Sequence, residues 1–523
     1  MKLVKILPDK IQIKTDDAEF KNSRLNDLIS VSDGEVELVT MITAITDNDA
    51  SIPLAEDDFL ADLQGSVKMI ECSIFGSLVD GAFKQQIDRY PSVNVAIKSI
   101  SEHEFGVMLA VDAVLRNTSF KIGKYASYDN DAYIDGNKFY QRHSCIVGNT
   151  GCGKSETVTK IIEETANNTN CNIVIFDIHG EYGKLSYVDN IKMGEVPFPI
   201  WMLGFSDMVA NILKVKEDNT VAMSALRKAY YAQEPHKEKN EGKPTWFDFV
   251  FMAAYIETLN REVVETGEFY KTGDKAGQAK TIKGDYNGKL SGLVNNINTF
   301  LSDKRYQFLF GNESENYLYS FLNRIMGGDK PVKNIDLSDI PHDIAVLIIG
   351  AITKLIYNIQ LMQKPGEIKP ITLVCDEAHV YIPVDFQLSA SQRRMVEIFE
   401  NIAKEGRKFG ITLFVASQRP SELNKTIMAQ CANYIVMKLN NENDKTMIKG
   451  MMPDGSSGVI ETVTMFQPGD ALVIGDAAPI PMKVHVELAK ERPQSGTINF
   501  WDEWKEGKRI ESVDSQLAEY LQS

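Results

Sequence analysis

Cysteine is scarce: Cys72, Cys145, Cys152, Cys171, Cys375 and Cys431 are the six in 523 residues. No two form C-x-x-C, so neither a zinc site nor a disulfide framework is expected, and a reducing cytoplasm fits. Long apolar runs are also missing. No stretch approaches the ~18 uninterrupted apolar residues of a membrane span, so no membrane is expected. The opening Met1-Lys2-Leu3-Val4-Lys5 leads into Pro8 and Asp9 without an apolar h-region, so no secretory signal is expected. Positive charge is in deficit, with 56 Lys and Arg against 72 Asp and Glu, a net charge of −16. That argues against a protein that coats nucleic acid, though not against one holding DNA in a small basic channel, because the electrostatic effect is local. Internal repeats and low-complexity tracts are absent. What remains is a 43% hydrophobic chain long enough for two or three domains.

The most informative stretch is Gly148-Asn149-Thr150-Gly151-Cys152-Gly153-Lys154-Ser155. It fits G-x-x-x-x-G-K-[ST], the phosphate-binding loop. Ser144-Cys145-Ile146-Val147 before it reads as a buried strand, and residues 156–166 after it read as helix, with Glu156 in the first turn. The glycines let backbone N–H groups turn inward around phosphates, and the helix N-terminus adds partial positive charge. Lys154 is expected to reach the β- and γ-phosphates of ATP, and the Ser155 hydroxyl to ligate Mg²⁺.

Four further stretches follow in order. Residues 171–176 form a second apolar strand that runs into Asp177-Ile178-His179-Gly180-Glu181-Tyr182. Asp177 therefore sits at a strand's carboxyl end, where α/β proteins bind ligands. His179 and Glu181 have two readings, near nucleotide or a neighbouring subunit, or as a polar turn capping the strand. Ile371-Thr372-Leu373-Val374-Cys375 precedes Asp376-Glu377-Ala378-His379, the Walker B pattern. Asp376 would hold Mg²⁺ and Glu377 would polarise the attacking water. Residues 391–408 read as a helix ended by Gly410, with Arg407 and Lys408 in its last turn. Those cations complement the helix dipole, or Arg407 reaches a neighbour's γ-phosphate as an arginine finger. Residues 411–416 form a strand ending in Ser417-Gln418-Arg419-Pro420, which puts the Gln418 amide beside the Walker B strand to sense phosphate or water.

The remainder gives a domain plan. Residues 1–120 carry short alternating strands at 11–14, 35–40 and 66–72, suggesting a small β-barrel or sandwich, with one helix-like piece at 81–89. Residues 121–204 open the nucleotide-binding α/β core. Residues 205–335 read as an all-α insertion with helices at 219–232, 246–259 and 290–301. A polar, lysine-rich loop is expected at 267–288. The core resumes over 336–490, with an apolar helix at 343–361 and strands at 434–439, 471–474 and 482–488. The loop 382–390, followed by Arg393 and Arg394, is placed towards a central channel. A tail, 491–523, carries Trp501 and Trp504 and either wraps a neighbour or hangs free.

Five motifs in this order over about 280 residues resemble the HerA family, of the FtsK–HerA group of hexameric DNA-pumping ATPases: 148–155, 176–182, 375–379, 405–408 and 417–420. Residues 72–101, with Asp80-Gly81 and Tyr90-Pro91, resemble the small barrel these proteins share with ATP synthase subunits. The resemblance implies an α/β fold with a RecA-like P-loop ATPase core. It implies a homohexamer with ATP between neighbours. Lys154, Ser155, Asp376 and Glu377 would act in cis and Arg407 in trans, with Gln418 coupling hydrolysis to movement. Arg142, just ahead of the loop strand, is a further candidate for nucleotide or a neighbour's phosphates. The implied activity is ATP-driven translocation of double-stranded DNA, as a helicase working with a separate nuclease or sirtuin-like effector, in DNA end processing or defence against phage. The rival reading is a ring-shaped scaffold that activates its effector, with ATP as a structural or regulatory ligand.

Overall fold

The structure is a computed structural model. It describes all residues except 49–66, 80–81, 85–86, 93, 110–116, 217, 234–243, 273, 312, 315, 385–387, 389, 453–458, 479, 497–498, 511, 515–516, 519–520 and 522–523.

An antiparallel sheet comes first: β1 (Lys2–Ile6), β2 (Lys10–Thr15), β3 (Leu28–Ser32), β4 (Glu37–Asn48), β5 (Val67–Val79), β6 (Ala82–Lys84) and β7 (Ala96–Ser99). Its order is β1-β2-β5-β4-β3-β7, with β6 also on β5. Successive side chains on a strand face opposite sides. Leu38 accordingly joins a core with Leu3, Ile13 and Ile70, while its neighbour Val39 joins the main core with Phe105 and Tyr128. The sheet is therefore packed on both faces and fixed to the rest of the chain.

The main sheet contains β8 (Ser119–Tyr125), β9 (Asp131–Asp135), β10 (Ser144–Val147), β11 (Ile173–Asp177) and β12 (Val188–Lys192). After a separate two-stranded hairpin, β13 (Val263–Phe269) and β14 (Ala279–Lys283), come β15 (Val332–Asp336), β16 (Ile371–Cys375), β17 (Ile411–Ser417), β18 (Asn433–Val436), β19 (Asp470–Gly475) and β20 (Met482–Val486). The order is β12-β15-β11-β16-β17-β10-β18-β19-β20-β8-β9. The first seven are mutually parallel, and the last four extend the sheet antiparallel. Every residue of β10, β11, β16 and β17 is buried, which is why these strands are continuous apolar runs. One edge of the sheet thus collects the carboxyl ends of seven parallel strands, the place where α/β folds bind ligands. The helix His342–Met362 is long and apolar enough to cross a membrane, but its most apolar stretch is 61% buried within the protein.

Several expectations need correction. The piece at 81–89 is not a helix: β6 turns back on β5, pairing Val79 with Ala82 and Ser77 with Lys84, and Asp80-Gly81 lies outside the described residues. The described pairings of the first sheet do not join β1 to β7, so no closed barrel is seen among the described residues. The insertion is not all-α. The lysine-rich stretch forms the β13–β14 hairpin, missed because every residue of β13 is exposed and no buried face imposes alternation. The break drawn at 335 falls inside β15, a strand of the main sheet, and the break at 120 falls inside β8. The helix before Gly410 stops at Glu405, and Arg407 and Lys408 lie in a following 3₁₀ turn, Gly406–Phe409.

Candidate nucleotide-binding site

The glycine loop leaves β10 between β17 and β18, and both neighbours clamp it. Gly148 N–H donates to the Ser417 carbonyl at 3.3 Å, and Asn149 N–H to the Lys438 carbonyl at 2.9 Å. On the far side Gly469 N–H donates to the Cys152 carbonyl at 2.9 Å. Gly151 and Gly153 have φ of 78° and 97°, a region that side chains disfavour. At Gly148 space is the constraint: a Cβ would stand 2.6 Å from Cys152 Sγ and 2.8 Å from Met437 Cβ. The Cys152 thiol points inward to Met437 Sδ at 3.8 Å, so this residue offers only its backbone to a ligand. Among the described residues, the N–H groups of Thr150, Gly151 and Gly153 have no protein acceptor. The helix Lys154–Asn168 starts without a side-chain cap. A cradle of uncommitted N–H groups at a helix N-terminus suits a polyphosphate.

Acidic residues face this cradle. β16 lies two strands from β10, with β17 between them. The Lys154 ammonium donates to Glu377 Oε1 and stands 3.6 Å from Asp376 Oδ1, with all three side chains buried. Glu377 has φ of 44°, a left-handed conformation that a non-glycine residue holds only when its surroundings enforce it. Gln418, at the tip of β17, donates from Nε2 to Glu377 Oε1 at 2.5 Å and accepts at Oε1 from the Thr150 hydroxyl. One amide therefore links the phosphate loop to the acidic pair. His379 Nδ1 lies 3.4 Å from Glu377 Oε2 and 3.3 Å from Ser417 Oγ.

The two carboxylates differ electrostatically. Burial pushes Asp376 up to about 6, helped by Glu377, Glu181 and Asp177 and opposed by Lys154. Burial also works on Glu377, but the charge and hydrogen bond of Lys154 and the bond from Gln418 outweigh it and hold its carboxyl below the usual range. Asp376 Oδ1 is buried without a hydrogen-bond partner among the described residues. A buried carboxylate oxygen without a hydrogen bond, 3.6 Å from the ammonium of the residue next to Ser155, fits a hard cation that takes oxygen ligands. Ser155 and Asp376 are the residues that would hold Mg²⁺.

Asp177 builds the turn after β11. Its Oδ1 accepts from Gly180 N–H at 2.8 Å and Glu181 N–H at 3.1 Å, and its Oδ2 from Tyr182 N–H at 3.0 Å and Asn334 Nδ2 at 2.9 Å. It is a scaffold for the turn. His179 is exposed there, whereas Tyr182 is wholly buried, its hydroxyl near Ser155 but without a hydrogen-bond partner among the described residues.

The two candidate arginines sit elsewhere. Arg142 precedes β10 and Arg407 precedes β17, so both lie at the amino end of the sheet, opposite the loop. A strand rises about 3.3 Å per residue, so four residues of β10 put roughly 13 Å between Arg142 and the start of its own loop. Arg142 thus stands a strand's length from the loop of its own chain, and its guanidinium pairs with Asp476 at 2.8 Å. Arg407 is exposed and forms no ion pair among the described residues.

Glu156 is in the first turn of the phosphate helix, 3.9 Å from Arg492 Nε. Sequence reasoning missed what lies behind that contact. Residues 487–494 run along the helix and are held in cis: buried Glu163 accepts from the Lys490 and Glu491 N–H groups at 3.0 and 3.2 Å, and Glu491 accepts from Ser186 N–H at 2.6 Å. No pattern of residues announces a strap made by backbone donors. Met437 and Gly469, which brace the loop, were equally unannounced. Beyond the strap, Trp501 and Trp504 lie exposed on the short helix Phe500–Lys505. The loop 382–390 falls partly outside the described residues.

Residues 120–356 match the family described as Helicase HerA, central domain. The DNA double-strand break repair helicase HerA of Sulfolobus acidocaldarius is 24% identical over 451 residues, covering 84% of this chain and 82% of that one. The protein of that name from Pyrococcus furiosus is 23% identical over 432 residues, covering 73% and 74%. Among solved structures, VirB4 of Thermoanaerobacter pseudethanolicus aligns with a TM-score of 0.46 at 13% identity, covering 72% of this chain and 97% of that one.

Proposed function

We propose that the chain is a P-loop ATPase of the HerA kind, working as a hexameric ring that hydrolyses ATP to drive double-stranded DNA. The observation that carries this reading is the separation of Arg407 from the phosphate loop across the sheet. A cation at one edge and a cradle at the other complement each other only between copies. In the ring, the loop N–H groups and Lys154 bind the triphosphate, and Glu377 orients and polarises the attacking water. Arg407 of one subunit stabilises charge at its neighbour's site, worth about 10³–10⁵ in rate where such fingers operate. Gln418 joins loop and base, and so reports the γ-phosphate to the rest of the core. Mg²⁺, held by Ser155 and Asp376, supplies charge neutralisation at the phosphate oxygens when bound.

The names of the relatives support a role on DNA, as helicases of double-strand break repair. We extend that to a division of labour: this chain moves duplex, and a separate nuclease or sirtuin-like effector acts on the DNA or on a cofactor. The test is particle mass together with ATP turnover, with and without linear duplex DNA. A six-subunit particle whose turnover rises with DNA is expected. A monomer that consumes ATP briskly would overturn the ring. A ring that activates its effector unchanged when Glu377 is replaced by Gln would instead favour the scaffold reading.

A further inference from the structure

We propose that Glu181 is a positioning residue for the hydrated Mg²⁺ of the nucleotide site, accepting a hydrogen bond from water of the cation's shell. The proposal rests on the nucleotide-site reading given above. β11 and β16 are adjacent and in register, with Phe176 opposite Cys375, so Asp177 and Asp376 leave the sheet side by side. The three backbone N–H bonds to Asp177 freeze the turn that follows. From the other side Gln494 N–H donates to the Glu181 carbonyl at 2.7 Å. The backbone of Glu181 is thus held at both ends, and its neighbour Tyr182 lies against Ser155.

The side chain completes the case. Glu181 Oε2 is buried and has no hydrogen-bond partner among the described residues, and the same holds for Asp376 Oδ1. The field of Glu181 is felt at Asp376, so the two carboxylates share one neighbourhood. Asp376 Oδ1 has the Lys154 ammonium at 3.6 Å, whereas Glu181 Oε2 has no donor, and a metal-bound water would supply one. Residues in this outer position commonly change metal affinity by about 10–100-fold.

The test uses the full chain saturated with a non-hydrolysable ATP analogue and titrated with Mn²⁺, free metal being read by electron paramagnetic resonance. Glu181→Gln is expected to weaken Mn²⁺ binding about tenfold or more. Affinity for metal-free nucleotide and the melting temperature should stay at wild-type values, and Glu181→Asp should recover part of the loss. Asp376→Asn is the reference variant. If it leaves Mn²⁺ binding intact, the metal-site reading itself is overturned, and this proposal with it. If it weakens Mn²⁺ binding while Glu181→Gln does not, only the role of Glu181 is overturned. Equal loss of metal-free nucleotide binding and of stability in Glu181→Gln would mark a structural role and also overturn it.

Discussion

Gln418 Nε2 donates to Glu377 Oε1 at 2.5 Å, tying the tip of β17 to the carboxylate that follows β16. The same amide accepts from Thr150, so any shift of the loop on binding phosphate is felt at Glu377. Gln418→Ala is expected to leave nucleotide affinity nearly unchanged and to lower turnover by about 10²-fold, the scale of losing one well-placed hydrogen-bond group. Stimulation by DNA should disappear as well. Steady-state kinetics with and without duplex checks both, and a variant that keeps its DNA response would refute the coupling role.

Glu377→Gln keeps an oxygen for Gln418 but cannot take a proton from water. Turnover should fall by about 10²–10⁴-fold while nucleotide still binds. Equilibrium binding of a fluorescent nucleotide, beside turnover, separates the two effects.

Arg407→Ala should bind ATP and fail to hydrolyse it. Mixed with Glu377→Gln subunits, it should regain part of the activity through interfaces that join an intact Arg407 to an intact Glu377. Mixtures as inactive as the two pure variants would argue against action across the interface.

Gly148→Ala places a methyl group 2.6 Å from Cys152 Sγ and 2.8 Å from Met437 Cβ. Overpacking of this kind costs about 1–3 kcal/mol. A lower melting temperature together with weaker nucleotide binding is expected, because the strained atoms belong to the loop itself.

His143 gives a pH prediction. Its Nδ1 accepts from Leu413 N–H at 3.0 Å, its Nε2 lies 2.9 Å from the Ala403 carbonyl, and Arg407 is the charged group nearby. Burial, with a contribution from Arg407, lowers its pKa to about 4. Between there and the ordinary value near 6.5, the unfolded chain binds more protons than the folded one, so stability falls as pH drops through that window. The loss attributable to this residue reaches about 3 kcal/mol. Melting temperatures at pH 7 and 4.5 should differ less in His143→Gln than in the wild type, and equal drops would refute the assignment.

How legible the molecule was depended on what each residue's neighbours demand. β10, β11, β16 and β17 could be read because burial on both faces leaves only apolar residues, and the loop because its chemistry fixes its glycines. β15 was hidden by Lys333 and Asn334, polar residues inside a buried strand, of which Asn334 donates to Asp177. The meeting of Lys154 with Glu377, 223 residues apart, was legible only through recognised motifs, since spacing carries no such information. For Arg142, nearness in sequence to the loop hides a whole strand of separation. The strap at 487–494 left no trace, as its donors are main-chain groups available to nearly any residue.

The main sheet has a front and a back. With seven strands aimed one way, the cradle opens at the front and Arg407 waits behind, so in the proposed ring copies can follow one another only nose to tail. Each subunit would then be both customer and supplier, served by the one ahead and serving the one behind. A single defective copy would silence two seams if it lacked both groups and one if it lacked either. Dosing a ring with such copies would count its members without a microscope.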